Sequence, residues 1–236
     1  MARFLLVHGS GHGAWCWRDV RPALEALGHE ADALDLPGSG DDNTRAGEVT
    51  LASYARAILA RLDAPSIVVG HSAGGFAIAQ AAEIAPEMIS RLVFLCAYVP
   101  RPGASLIEMR REAPEQPLAG ALETSADGLS YRFTDAAIAA NLCADCPPEA
   151  LAFARARLGW QPIAPQAAPF EAKGRSTDVP RSYILCEQDR TIPPAHQRAM
   201  SSGFDPADIH RLPTGHSPFL AAPGALAALL DQIARG

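Results

Sequence analysis

The stretch Ser66-Ile67-Val68-Val69-Gly70-His71-Ser72-Ala73-Gly74 constrains this chain of 236 residues more than any other. A short apolar run of strand length leads into G-x-S-x-G, and an alanine-rich apolar run from Gly75 to Ala85 follows at once. That order describes a strand, a sharp turn and a helix, with a serine at the apex. Such a turn pushes the hydroxyl clear of the sheet, and the glycines two residues to either side leave out side chains that would crowd the bend. Ser72 therefore reads as a nucleophile. Because G-x-S-x-G also arises by chance, the rest of the chain must supply a base and a site for developing negative charge.

Apolar runs of strand length alternate with longer amphipathic stretches elsewhere. Strands are predicted at Phe4 to Val7, Glu30 to Leu34, Ser66 to Val69, Arg91 to Leu95, Arg181 to Cys186 and Ile209 to Leu212. Helices are predicted at Trp17 to Leu27, Leu51 to Leu62, Gly75 to Ala85 and Ala195 to Ser201, with Gly28 and Pro86 closing two of them. Buried parallel strands joined by helices are the simplest account, an α/β fold with a mostly parallel central sheet flanked by helices. With 48% hydrophobic residues the chain can bury one full core, and a single domain over residues 1–236 is expected. The alternation breaks between Pro100 and Val179, a proline-rich interval with helical patches at Ala136 to Leu142 and Glu149 to Leu158 and no convincing strand. It reads as a helical lid lying over the sheet. Leu118, Leu122, Phe133, Phe153 and Trp160 are expected to make that lid apolar and to shape an acyl pocket, although the same side chains would serve equally as plain core.

A formal net charge of −6 offers no basic surface for nucleic acid or anionic lipid, so neither is an expected partner. A small neutral or apolar molecule fits better. The apolar run after Met1-Ala2-Arg3 stops at His8-Gly9, which suits a first strand and not a signal peptide. Five cysteines, an odd number at irregular spacing, suggest reduced thiols and a cytoplasmic location. Cys143-Ala-Asp-Cys146 lacks a second pair or nearby histidines, so no metal and no cofactor is expected.

The first βα turn, His8-Gly9-Ser10-Gly11-His12-Gly13-Ala14, admits two readings. Gly9, Gly11 and Ala14 satisfy the dinucleotide pattern G-x-G-x-x-A, with Asp35 placed to meet a ribose. Against it stand the bulky Trp15-Cys16-Trp17, where a helix would have to pack closely under a pyrophosphate, and an unexplained Ser72. The other reading is an oxyanion loop, in which a backbone N–H from around Ser10 and that of Ala73 converge on the carbonyl oxygen of an ester. The Ala73 amide also belongs to the positive end of the helix that follows Ser72.

A serine nucleophile needs a base whose pKa lies near the operating pH, usually a neutral histidine. Of seven histidines, His216 in Pro213-Thr214-Gly215-His216-Ser217 lies in a loop straight after the last predicted strand, where it could reach Ser72 across the strand ends. His8 and His12 belong to the oxyanion turn, His71 adjoins the nucleophile, and His29, His196 and His210 suit structural roles. Asp189, shortly after another strand, is placed to hold the tautomer of the base, better than Glu187, Asp205 or Asp208.

With Ser72, Asp189 and His216 in that order, the chain resembles compact α/β-hydrolases of the hydroxynitrile lyase and plant methyl-ester esterase group, which includes methyl salicylate esterases. The resemblance is carried by Phe4 to Trp15, Gly28-His29, Ala33 to Leu36, Gly70 to Gly75, Tyr183 to Pro193, His196-Gln-Arg198 and Gly215-His216. It implies Ser72, Asp189 and His216 as the triad and Ser10 and Ala73 as the oxyanion donors. The lyases of the group resemble a pattern with threonine after the first histidine and lysine after the catalytic one, the lysine serving the departing cyanide. Here those positions hold Gly9 and Ser217. The expectation is a carboxylic ester hydrolase acting on a small-molecule ester through an acyl-enzyme, with room for a homodimer. A hydroxynitrile lyase and a non-catalytic small-ligand receptor on the same fold are the alternatives.

Overall fold

The computed structural model describes residues 1–236. The chain runs β1 (Arg3–Val7), α1 (Val20–Ala26), β2 (Glu30–Leu34), α2 (Leu51–Ala60), β3 (Ser66–His71), α3 (Gly74–Ile84) and β4 (Ile89–Leu95). The interval that follows holds α4 (Leu106–Glu112), β5 (Leu122–Thr124), β6 (Ser130–Phe133), α5 (Asp135–Ala137), α6 (Pro148–Arg157), β7 (Gln161–Pro162) and α7 (Ala164–Ala167). The alternation then resumes with β8 (Arg181–Cys186), α8 (Pro194–Met200), β9 (Ile209–Leu212), α9 (Pro218–Ala221) and α10 (Pro223–Arg235).

All six predicted strands form, and they make one parallel sheet in the order β2-β1-β3-β4-β8-β9. The apolar runs are continuous because both faces are covered. Phe4, Leu6, Ile67, Val69, Val93 and Leu95 point into a core of 28 buried residues shared with α1 and α10. Their neighbours Leu5, Val7, Val68, Leu92 and Phe94 point the other way, into a core of 29 shared with α2 and α3. The two faces are therefore nearly equal, as the period of two along each strand requires. The helix expected from Trp17 begins later. Ala14–Trp17 form a tight 3₁₀ turn that buries Trp17 against Phe219, ring centroids 5.0 Å apart, and α1 starts at Val20.

The expectation of a purely helical lid is corrected by the structure. Between β4 and β8, the strands β5, β6 and β7 form a small antiparallel sheet, with Leu122 opposite Phe133 and Ser130 opposite Pro162. At three, four and two residues these strands are too short to show a period. Their hairpin carries a readable turn, though: Asp127 accepts the Leu129 amide at 3.0 Å and Gly128 sits at φ 72°. The two helical patches are present, the first as α5 running into a π turn at Ile138–Leu142 and the second as α6. The apolar residues expected to line the lid are mostly core side chains. Leu118, Leu122, Phe133 and Phe153 pack with the core under α1 and α10, while Trp160 stays 40% exposed beneath the Arg132 guanidinium.

The returning end of this interval is pinned to α3. Glu83, buried on that helix, accepts hydrogen bonds from the amides of Lys173 (2.8 Å), Arg175 (3.2 Å) and Ser176 (3.0 Å) and from the Ser176 hydroxyl. No helix is long and apolar enough to cross a membrane.

Candidate active site

Strand β1 lies between β2 and β3, so the chain leaves it toward one edge of the sheet first and toward the other afterwards. In open parallel sheets the crevice at such a switch point, outside the carboxyl ends of the strands, is where ligands bind. Ser10 follows β1 and Ser72 follows β3, with Val7 opposite Gly70 in register. Asp189 follows β8 and His216 follows β9, so all four lie at the carboxyl ends of the parallel strands.

Ser72 adopts φ 52°, in the left-handed region that residues with a Cβ avoid. A cost of about 1–3 kcal/mol is typical of such a residue. Neighbouring backbone offsets it: the Ser72 amide donates to the Leu95 carbonyl at 3.1 Å, and its own carbonyl accepts from Gly75 (3.2 Å) and Tyr98 (3.1 Å). Gly74 must be glycine, because a Cβ there would lie 2.7 Å from the His8 carbonyl oxygen. The Ser72 hydroxyl has no hydrogen-bond partner within the chain and the residue is 7% exposed. The amides of Ser10 and Ala73 make no backbone hydrogen bond, which leaves both free to donate to a ligand.

Asp189 and His216 are buried and paired, Oδ2 to Nδ1 at 2.8 Å. That contact assigns the ring hydrogen to Nδ1 and leaves the lone pair on Nε2. The carboxylate is fixed by three further donors. The amides of Thr191 (2.7 Å) and Ile192 (2.9 Å) bind Oδ1, and the fully buried Gln197 side chain gives Oδ2 a second bond at 2.9 Å. The competing carboxylates are engaged elsewhere: Glu187 with Arg211, Asp208 with Arg91 and Ser182, and Asp205 with the Ala207 amide.

Three other histidines brace these loops. His8 donates from Nδ1 to the Gly9 carbonyl (2.8 Å) and accepts the Leu36 amide on Nε2 (3.1 Å). His12 donates to the Ser10 carbonyl (2.9 Å), and burial pushes its pKa down to about 3. His71 donates from Nε2 to the His216 carbonyl (2.8 Å); burial, then the neighbouring His216, hold it well below the usual histidine range. The donor atoms of His71, Cys96 and His216 lie within 4.8 Å of one another. His71 Nε2 and His216 Nδ1 are engaged in hydrogen bonds, and His71 Nδ1 is buried without a partner. His29 pairs with Asp231 at 2.8 Å, far along the chain from these loops.

Asp35 settles the rival reading of the first turn. Its two oxygens accept the amides of Ala14 (2.6 Å) and Asp41 (3.1 Å), fastening the loop after β1 to the loop after β2, so it is not held out for a ribose.

Other residues at the site were not legible beforehand. A narrow cavity of about 10 Å³ lies behind Gly9 and Ala73, closed by Leu36, Leu106, Gln161 and Gln166. Asp145, between the paired cysteines, accepts the Gly215 amide at 2.6 Å and so ties the lid to the loop of His216. All five cysteines are free thiols.

Comparison with known proteins identifies the family and the fold. The Alpha/beta hydrolase family model matches residues 4–229. Methylesterase 2 of Arabidopsis thaliana is 35% identical, over 98% of this chain and 95% of its own length. Methylesterase 4 of the same plant is 33% identical, over 98% and 96%. A pyrethroid hydrolase from Sphingobium faniae JZ-2 superposes with a TM-score of 0.88 at 27% identity, covering 100% of this chain and 98% of that one. Polyneuridine aldehyde esterase does so with a TM-score of 0.87 at 25% identity, covering 99% of each chain.

Proposed function

The chain belongs to the alpha/beta hydrolase family, and we propose that this carboxylic ester hydrolase works through an acyl-enzyme on Ser72, with His216 as base and acid and Asp189 orienting it. The observation that carries the assignment is the buried 2.8 Å contact between Asp189 and His216, which directs the free lone pair of the imidazole away from the carboxylate. His216 takes the Ser72 proton as the hydroxyl attacks the ester carbonyl, then gives it to the departing alcohol. Water enters by the same route and releases the acid. The unengaged amides of Ser10 and Ala73 stabilise the oxyanion of both tetrahedral intermediates, a contribution of roughly 3–4 kcal/mol per donor in comparable sites.

The substrate is a small-molecule ester, and the methylesterase relatives favour one with a short alcohol. Gly9 argues against a lyase pocket: a Cβ at that position would come within 2.9 Å of the Ser72 Cβ and 2.7 Å of His71 Nδ1. Ser217, fully buried and uncharged, offers a departing cyanide no positive partner. Five free thiols support a cytoplasmic location.

A fluorophosphonate probe tests the reading. It should label Ser72 alone, and Ser72→Ala should lose labelling and the hydrolysis of p-nitrophenyl acetate together. Labelling at another serine, or an active Ser72→Ala enzyme, removes the assignment.

A further inference from the structure

The two buried glutamines of the lid both spend a hydrogen bond on the same short loop of the main domain body. Gln161 Oε1, on β7, accepts the Gly11 amide at 3.1 Å. Gln166 Nε2, on α7, donates to the Ser10 hydroxyl at 2.8 Å. A third lid contact runs from the Gly159 amide to the Gly11 carbonyl at 2.9 Å. Each glutamine is 3% exposed, and burying an amide is unfavourable unless its groups are paired. Both are paired: Gln166 Oε1 accepts from the Tyr131 hydroxyl (3.0 Å), while Gln161 Nε2 donates to the Tyr54 hydroxyl (3.1 Å) and the Pro162 carbonyl (3.0 Å).

The loop they hold needs holding. Gly9 and Gly11 flank Ser10 and carry no side chains to fix it, and Gly11 sits at φ 68°. The direction of the Ser10 N–H is set by the Gly9–Ser10 peptide plane, whose carbonyl points the opposite way. On the sheet side that carbonyl is fixed by His8 Nδ1 (2.8 Å) and by the His12 amide (3.3 Å). On the other side His12 Nδ1 holds the Ser10 carbonyl (2.9 Å), and the lid holds the Ser10 side chain and both backbone groups of Gly11.

We propose that Gln161 and Gln166 are positioning residues that complete the oxyanion loop, so that Ser10 donates in its working geometry only while the lid is seated. The proposal rests on the assignment of Ser10 as an oxyanion donor. The lid then acts on the transition state through the backbone of another segment, and not through a contact with substrate alone. A change at either glutamine reaches kcat by loosening Ser10 and Gly11, so that the Ser10 peptide is held from the sheet side alone.

Gln166→Met and Gln161→Met, which keep length and remove the amide, should lower kcat on p-nitrophenyl acetate by about 10- to 100-fold with KM changed less than threefold. Affinity for phenylboronic acid, which forms a tetrahedral adduct on the serine, should fall by the same factor. Affinity for phenylacetamide, a flat and unreactive amide, should stay the same. Because Gln166 acts through the Ser10 hydroxyl, Ser10→Ala should lose a similar factor, and the double variant with Gln166→Met no more than the larger single loss. Unchanged kcat and boronate affinity in both methionine variants overturn the proposal, as do additive losses or an equal loss of phenylacetamide binding. If Gln166→Met does not fold, Ser10→Ala decides the matter on the same two ligands, because it keeps the backbone donor. An active Ser72→Ala enzyme would instead overturn the acyl-enzyme assignment itself, a separate result.

Discussion

Asp189 and His216 stand 27 residues apart in sequence and meet at 2.8 Å with almost no solvent access to either side chain. With its four donors placed, the carboxylate cannot turn, and His216 is restrained through it. Replacing the carboxylate by an amide keeps the shape and allows the wrong ring nitrogen to carry the hydrogen. Asp189→Asn should therefore keep the fold and lower kcat by about 10⁴. Glu187→Gln, Asp205→Asn and Asp208→Asn should each stay within about tenfold, a barrier change of no more than roughly 1.4 kcal/mol. Steady-state kinetics on one aryl ester decide it, and an active Asp189→Asn beside a dead variant at one of the other three moves the orienting role.

Threonine at position 9 would test the ester hydrolase against the lyase directly. In Gly9→Thr the new Cβ meets Ser72 and His71 below 3.0 Å, so the elbow must shift. Ester hydrolysis should drop by at least about 100-fold. Cyanide release from mandelonitrile should remain at the blank rate, since Ser217 still supplies no charge. Measurable cyanide release from this variant would favour the lyase alternative.

Acid should weaken the fold sooner than the exposed carboxylates alone require. His8, His12 and His71 are all held neutral in the folded chain by burial, their pKa values depressed, whereas the unfolded chain protonates them near 6.5. As pH falls below about 6.5 the unfolded state binds protons that the folded state refuses, and each histidine then removes up to about 1.4 kcal/mol of stability per pH unit. Above that range these three contribute no slope. Urea midpoints measured from pH 8 to 5 should be level at first and then fall, and His12→Phe should shallow the fall. A profile that stays level down to pH 5 would show that the folded chain accepts these protons.

The pinning of the lid to α3 can be weakened without touching the site. Glu83→Gln keeps the volume but replaces a carboxylate that takes four hydrogen bonds. Stability should fall by about 1–3 kcal/mol while kcat per folded molecule is retained. Calorimetry alongside titration of reactive serines separates the two. A loss of kcat at full serine titre would mean that this anchor also sets the geometry around Ser72.

The sheet was legible because its strands are buried on both faces and announce themselves as apolar runs. β2, β8 and β9 begin and end where the sequence places them. The candidate site residues follow those strand ends, so their places in the fold could be read from turn chemistry once the strands were placed. The lid was not legible for two reasons. Its strands are shorter than the two-residue period needs, and β7 pairs with β6 across the whole of α5 and α6. Helix α4 was missed although its start was marked: Ser105 and Glu108 form a reciprocal cap, 2.8 Å and 3.2 Å between side chain and amide. Gln161 and Gln166 carried no signal, because a buried amide is recognised only by the partners that fold around it.

Ser10 and Ser72 precede the lid in the chain, and Asp189 and His216 come after it. The two halves are joined at the sheet by a single seam, the pairing of β4 with β8 from Leu92 opposite Arg181 to Leu95 opposite Ile184. Cutting the chain in the lid near the exposed Glu115 would give one peptide with the nucleophile and another with the base, each inert by itself. Ester turnover would then return only where the two peptides zip together along that seam, which makes this fold a natural split reporter: the colour from an aryl ester would count pairing events between whatever proteins the two halves were fused to.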